Sequence, residues 1–190
     1  MLTIPNAISV VRLLCIPLFL WLLFGREHRA GAASLLGILG ATDWVDGWIA
    51  RRFNQVSNLG KILDPAADRI LVGTAVVALM IDGAVPAWVG VATLVREVLI
   101  SVAVVALAAM GAKRIDVQWV GKAGTFALMF AYPMFLASRS GVGWDGFARV
   151  LAWGFAIPGL ILSYYAAAMY IPLARAALVE RRAVPEVPVP

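Results

Sequence analysis

Four aspartates lie within 26 positions of a chain that is 62% hydrophobic and only 14% charged: Asp43, Asp46, Asp64 and Asp68. An unpaired ionised side chain at membrane depth costs at least about 2.5 to 3.5 kcal/mol. Several carboxylates brought together cost more through mutual repulsion, unless cations neutralise them. Because no His or Cys accompanies them, these carboxylates suit hard cations such as Mg²⁺ or Mn²⁺. The sequence therefore predicts a divalent-cation site built from the four aspartates.

Helical spacing places these acids on two faces that also carry small residues. On one helix the offsets 0, 3, 4, 7 and 8 fall to Asp43, Asp46, Gly47, Ala50 and Arg51. On the next helix a repeat of four residues relates Gly60, Asp64 and Asp68. If the two faces meet across the 52–59 loop, the four carboxylates share one pocket.

The small residues and the arginine indicate what enters this pocket. Without side chains, Gly47 and Gly60 leave a slot in which a ligand approaches the backbone, helped by Ala50. Arg51 offers a planar fork for phosphate oxygens. The alternative is a salt-bridged helix pair at the membrane interface, in which the acids are neutralised by Arg51, Arg52, Lys61 and Arg69. Such pairing does not require the two glycines, so a phosphorylated, nucleotide-bearing substrate is favoured.

These residues resemble a known family. Residues 43–68 read D-x2-D-G-x2-A-R-x8-G-x3-D-x3-D, which matches the signature of the CDP-alcohol phosphotransferases at all eight fixed positions. The resemblance implies that two divalent cations, Mg²⁺ or Mn²⁺, are held by Asp43, Asp46, Asp64 and Asp68. It implies that the binding site for the CDP moiety is lined by Asp43, Gly47, Ala50, Arg51 and Gly60. It further implies that Asp68 is the general base and that the protein is a homodimer, with its site open to the cytoplasm and the lipid leaflet.

The same resemblance implies the reaction. Asp68 would take the proton from an attacking hydroxyl, and a phosphodiester would form with release of CMP. The segments "IPNAISVVRLLCIPLF" and "LVREVLIS" resemble the phosphatidylglycerophosphate synthase branch. We therefore expect CDP-diacylglycerol as the donor and glycerol 3-phosphate as the acceptor.

Basic residues outside the motif are candidates for binding the acceptor phosphate. Arg96 lies inside an apolar stretch, where an arginine needs an anionic partner. That partner is either the acceptor, adjacent Glu97, or a motif aspartate, although adjacent helical residues point about 100° apart. Arg114 and Lys122 either join Arg96 at the acceptor or mark the cytoplasmic boundary. Arg12 in the first apolar stretch either snorkels to the surface or lines the cavity.

Other functions share some of these features. Cardiolipin synthase of the same superfamily would use phosphatidylglycerol as acceptor with the same metal site, and an inositol-phosphate acceptor would need a similar basic pocket. A divalent-cation transporter also buries acidic residues between helices. It has no need for Gly47, Ala50 and Arg51 beside the acids, which favours the enzyme.

The elements that must position these residues are membrane helices. The mean hydropathy is +0.88, and six apolar stretches approach the length of about 20 residues that crosses a bilayer: 6–24, 31–50, 66–82, 87–110, 118–137 and 148–172. We expect an all-α integral membrane protein, with the site between helices 2 and 3. Residues 1–175 would form the single domain, and 176–190, with alternating Pro and Val, a disordered tail.

Basic residues also predict the orientation. With six spans both termini share one side, which receives ten Lys and Arg against four on the other. This asymmetry places the termini and the active site in the cytoplasm and the protein in the cell membrane. The net charge of +5 is dispersed between spans, so nucleic acid is not expected as a partner.

Overall fold

The computed structural model of the protein describes residues 4–53, 60–109, 119–141 and 143–183. These residues form six helices: α1 (Ile4–Leu20), α2 (Arg29–Phe53), α3 (Gly60–Ile81), α4 (Ala87–Ala109), α5 (Trp119–Ala137) and α6 (Asp145–Ala183). Helix α1 continues into a π-helical turn over Trp21–Gly25. The described part of the chain contains no strand, which confirms the expected all-α class.

The six helices coincide with the six apolar stretches of the sequence. Their bounds agree to within about a residue or extend beyond the stretches, most clearly where α3 begins at Gly60 rather than at residue 66. By length and composition, two segments of the described residues are able to cross a membrane, Trp119–Ala137 and Asp145–Met169. Val10–Gly25 and Arg69–Ile81 are apolar but shorter. Six crossings therefore stay a prediction.

The last helix is longer than the sequence analysis expected. Helix α6 runs to Ala183, so residues 176–183 of the predicted tail are helical, and 184–190 lie outside the described residues. The segment "ARAALVERRA" is rich in Ala, Leu, Glu and Arg, which favour helix.

Among the residues whose side chains the structure describes, the buried apolar core lies toward one end of the bundle. We call this the core end, and it comprises the last turns of α1, α3 and α5 and the first turns of α2, α4 and α6. Its side chains with at most 3% exposure include Phe19, Leu23, Ala32, Val76, Leu79, Val85, Val89, Phe135, Leu136, Ala148 and Ala152. The opposite end, where α2 finishes and α3 starts, is called the motif end below.

A short turn and an ion pair join the helices at the core end. The segment "DGAVP" connects α3 to α4 as a tight turn, and Gly83 adopts a φ of +74° that favours glycine. Beside it, Arg29 Nη2 lies 2.9 Å from Asp82 Oδ1 and ties α2 to the end of α3. The hydrogen bond to Asp82, together with its negative charge, raises the pKa of Arg29 above its ordinary value.

Helices α5 and α6 pack at backbone contact. A Cβ atom added to Gly124 would lie 2.8 Å from the backbone nitrogen of Ser163 and 3.0 Å from the carbonyl oxygen of Gly159. A Cβ added to Gly159 would lie 3.2 Å from the carbonyl oxygen of Gly124. Gly159 and Ser163 form the small-xxx-small spacing that lets membrane helices approach closely. This seam has no room for larger residues.

Candidate functional site

The motif occupies the helices that the sequence assigned to it. Asp43, Asp46, Gly47, Ala50 and Arg51 lie in the second half of α2, and Gly60, Asp64 and Asp68 lie in the first turns of α3. Both segments are helical throughout, so the predicted spacing places each set on one helix face. Their side chains lie outside the described residues, and so do their predicted contacts with metal and nucleotide.

Backbone placement brings the two sets to the same end of the bundle. Helices α2 and α3 are separated by residues 54–59 alone, and the step from Phe53 to Gly60 spans at most about 25 Å. At a rise of about 1.5 Å per residue, Asp43 and Asp46 lie about 15 and 10 Å before the end of α2. By the same rise, Asp64 and Asp68 lie about 6 and 12 Å into α3. The four aspartates therefore occupy similar depths in consecutive helices.

Helix α1 adds a buried cation to this part of the molecule. Arg12 is only 4% exposed, and α1 packs against both α2 and α3. This burial is inconsistent with the alternative that Arg12 snorkels to the surface. A guanidinium at this depth beside two acidic helices is suited to neutralising part of their charge.

Arg96 is engaged by neighbouring side chains. It is 5% exposed, and its Nη1 forms an ion pair with Glu97, the pairing that the 100° helical offset made less favourable. The long arginine side chain curls back far enough to meet its neighbour. Its Nη2 donates to Thr125 Oγ1 at 2.9 Å, which links α4 to α5. Arg96 Nε is buried and makes no hydrogen bond within the described residues.

Two further residues were predicted to bind the acceptor, Lys122 and Arg114, and the structure describes the first of them. Lys122 is exposed in the first turn of α5, three residues before Thr125. Residues three apart are neighbours on a helix surface, so Lys122 lies one turn from the partner of Arg96. Arg114 lies outside the described residues.

Two buried polar residues belong to a contact that the sequence analysis missed. Tyr132 on α5 donates its hydroxyl to Thr93 Oγ1 on α4 at 2.6 Å, and Thr93 Oγ1 donates to the Val89 carbonyl oxygen at 3.0 Å. Thr93 is 1% and Tyr132 5% exposed. The sequence signal for this contact was Thr93, a polar residue three positions before Arg96 in an apolar stretch. Together with the Arg96–Thr125 bond, this contact links α4 to α5 through side chains.

Comparisons with known proteins agree with the motif. Residues 2–177 match the family described as CDP-alcohol phosphatidyltransferase. The chain is 42% identical over 176 residues to a Streptomyces coelicolor protein named "Cardiolipin synthase (CMP-forming)", covering 90% of this chain and 81% of that one.

Two further relatives carry a different name. A Bacillus subtilis protein named "CDP-diacylglycerol--glycerol-3-phosphate 3-phosphatidyltransferase" is 34% identical over 151 residues, covering 72% of this chain and 77% of that one. An Escherichia coli protein of the same name is 32% identical over 184 residues, covering 94% and 98%. The first name gives cardiolipin and CMP as products, and the second gives CDP-diacylglycerol and glycerol 3-phosphate as substrates.

Proposed function

Because the chain belongs to the CDP-alcohol phosphatidyltransferase family, we propose that it transfers a phosphatidyl group from CDP-diacylglycerol to an acceptor hydroxyl with release of CMP. Family members are membrane-embedded transferases of phospholipid biosynthesis. The observation that carries the proposal is the eight-residue motif, complete in sequence and divided between α2 and α3 at one end of the bundle.

The motif residues divide the chemistry between them. The donor set is four carboxylates without sulfur or imidazole, which fits two Mg²⁺ or Mn²⁺ ions held by Asp43, Asp46, Asp64 and Asp68. When bound, these ions supply positive charge to the diphosphate of the CDP-alcohol. The cytidine nucleotide would lie along the slot lined by Gly47, Ala50 and Gly60, with Arg51 toward its phosphates.

Asp68 would act as the general base. Its carboxylate takes the proton of the acceptor hydroxyl while the oxygen forms a bond to the phosphatidyl phosphorus. The bond from that phosphorus to the CMP oxygen breaks, and CMP leaves. One phosphodiester and one nucleoside monophosphate result.

Phosphatidylglycerol is the acceptor we propose first, so that cardiolipin is the product. The 42% identity to a protein named cardiolipin synthase, over 90% of the chain, supports this choice. So does the pairing of Arg96 with Glu97, because it offsets the charge that a phosphate dianion would require. Phosphatidylglycerol carries only one negative charge on its phosphodiester.

Glycerol 3-phosphate, the acceptor expected from the sequence, is the second candidate. The two relatives named for this acceptor support it, as does a buried Arg96 whose Nε has no hydrogen-bond partner in the described part of the chain. Lys122 and Arg114 would then supply further positive charge. None of the three relatives described above is named for an inositol-phosphate acceptor.

One assay tests donor and acceptor together. Purified protein in detergent is given CDP-diacylglycerol and Mg²⁺, with phosphatidylglycerol or glycerol 3-phosphate, while CMP release and lipid products are measured by mass spectrometry. We expect acceptor-dependent CMP release with cardiolipin as the product. Phosphatidylglycerophosphate as the product would select the second acceptor. Absence of CMP with every acceptor would refute the family chemistry for this chain and leave the cation transporter.

The membrane arrangement belongs to the same proposal. Six crossings, with the motif end and both termini in the cytoplasm, follow from the ten-to-four division of basic residues. A homodimer is proposed from the family resemblance alone. Residues 26 and 52 lie on opposite sides of the membrane in the proposed topology. The accessibility of cysteines introduced there to a thiol reagent checks the orientation.

A further inference from the structure

A cavity lies at the core end, far from the motif. It has a volume of about 260 Å³ and lies between the α3–α4 turn, the end of α5 and the first turns of α6. The lining residues that matter here are Gly83, Phe135, Ser138, Arg139, Arg149 and Trp153. The volume is below the range of about 300 to 1,000 Å³ for drug-sized ligands, so the cavity suits a small group rather than a whole large molecule.

Two arginines make this cavity positive. Arg139 Nη1 donates to the carbonyl oxygen of Gly83, which orients its guanidinium at the mouth of the turn. Arg149 is exposed, and within the described residues no carboxylate pairs with it. Asp82 binds Arg29, and Asp145, four residues before Arg149 on α6, accepts a hydrogen bond from Gly141 N at 3.2 Å through Oδ1. Two planar forks that form no ion pair with a carboxylate of the described residues match the oxygens of a phosphate.

Aromatic residues place the cavity at the level of lipid headgroups. Exposed tryptophans surround the core end: Trp21 is 50%, Trp88 57% and Trp144 45% exposed. Such belts mark the membrane–water interface. Trp153 in the cavity wall stacks on Trp88 with ring centroids 5.7 Å apart and meets Phe135 edge-on at 5.2 Å.

An apolar surface leads away from the cavity. On α6, next to Arg149, the side chains of Phe147 and Val150 are 63% and 69% exposed. On α4, below Trp88, Val91 and Val95 are 50% and 45% exposed. A ligand held by its phosphate at the arginines would therefore have acyl chains against lipid-facing helices.

We propose that this cavity binds the phosphodiester headgroup of a phospholipid in the leaflet opposite the motif. The phosphate oxygens accept hydrogen bonds from Arg149 and Arg139, and the glycerol lies against Trp153. The bound lipid links α6 to α5 and the α3–α4 turn. It takes no part in phosphatidyl transfer, because the motif lies at the other end of the bundle.

The test measures lipid binding to the whole purified protein in detergent by native mass spectrometry. A chelator is present, and the Asp64→Asn background is run in parallel, so that lipid in the motif pocket is separated from lipid in this cavity. Dioleoylphosphatidylglycerol is the probe, and dioleoylglycerol, which lacks the phosphodiester, is compared with it. We expect Arg149→Gln to weaken binding of the phospholipid at least about tenfold. Arg149→Lys, which keeps the charge but not the fork, should weaken it less.

Arg26→Gln is the matched control, because Arg26 is exposed at the same end but packs over Trp21, with its Cζ 4.8 Å from the ring centroid. Equal losses in the two variants, or equal retention of dioleoylglycerol and the phospholipid, would overturn the proposal. Displacement of the lipid by millimolar inorganic phosphate alone would assign the site to free phosphate and overturn the lipid assignment. Melting temperatures of the variants show that each is folded.

Discussion

The helix pairs α5/α6 and α2/α3 both contain glycines, but the residues around these glycines differ between the two pairs. In α5 and α6, Gly124 and Gly159 meet uncharged residues, and the two backbones approach until an added Cβ meets backbone atoms at 2.8 to 3.2 Å. In α2 and α3, Gly47 and Gly60 stand among aspartates. Space left by an absent side chain is filled by a helix in the first pair and, we propose, by a ligand in the second.

The comparison teaches how a glycine in a membrane helix can be interpreted. Where the neighbours are apolar, close packing recovers dispersion energy and nothing is gained by leaving the space empty. Where the neighbours are acids, a closely packed helix would bury like charges, so the space must admit cations or a charged substrate.

Removal of divalent cations should abolish activity while the fold survives. A chelator should reduce CMP release to background, because four carboxylates then face the substrate diphosphate without neutralising charge. Added Mg²⁺ or Mn²⁺ should restore it. The melting temperature should fall, because repulsion among the four carboxylates returns, but the protein should stay folded, because the described residues of the α5/α6 seam and the core contain no group of three metal-ligating side chains. A chelated preparation that works at full speed would contradict the proposed site.

Asp68→Asn should lower turnover by about 10² to 10⁴-fold, the range for loss of a general base. Binding of CDP-diacylglycerol should largely survive, because the remaining three aspartates and Arg51 are unchanged. CMP release and donor binding by isothermal titration check both statements. Asp145→Asn at the core end is the control and should keep normal activity. Full activity in Asp68→Asn would remove this residue from the role of base.

Alanine should lower stability at the glycine in the α5/α6 seam and lower activity at the glycine in the motif. Gly124→Ala should lower stability by about 1 to 3 kcal/mol, because its Cβ overlaps backbone atoms of α6. Gly47→Ala should instead reduce activity about tenfold or more at an unchanged melting temperature, because it narrows the proposed slot. Gly154→Ala is the control, since a Cβ there meets nothing within 4 Å. If Gly47→Ala destabilised the protein like Gly124→Ala, both glycines would serve packing and the comparison would fail.

Tyr132→Phe should have the smallest effect, a loss of about 1 kcal/mol in stability. It removes the hydroxyl that donates to Thr93 Oγ1 between α5 and α4, and it leaves the ring in place. Thermal unfolding in detergent measures the change. Tyr165→Phe, at a side chain that is 56% exposed, is the control and should match the parent protein. Equal melting temperatures for all three proteins would show that the buried hydrogen bond adds nothing.

Most of the helices were predictable from the sequence because a membrane helix is a local feature. The apolar stretches 87–110 and 118–137 differ from α4 and α5 by only a residue at one end. The end of α6 was harder, because "ALVERRA" has good helix formers but no apolar stripe, and the alternating Pro and Val that follow made the whole segment resemble a tail.

Less of the candidate site's surroundings could be predicted. The motif residues were assigned to two helices from spacing alone, and α2 and α3 contain them as expected. The partner of Arg96 was not settled, because a four-atom stem lets the guanidinium reach either a neighbour on its own helix or Thr125 on α5. The Tyr132–Thr93 contact joins residues 39 positions apart, and no local pattern reports it.

The sequence by itself determined the all-α class, the approximate positions of the six helices and the division of the motif, since hydrophobic length and 3.6-residue periodicity act within one segment. The tertiary structure decided which helices touch: it placed Gly124 against Gly159, turned Arg96 toward Thr125, and assembled Arg139, Arg149 and Trp153 around one cavity. Each of these contacts joins helices or turns, and their relative placement depends on the packing of the whole bundle rather than on any single stretch of chain.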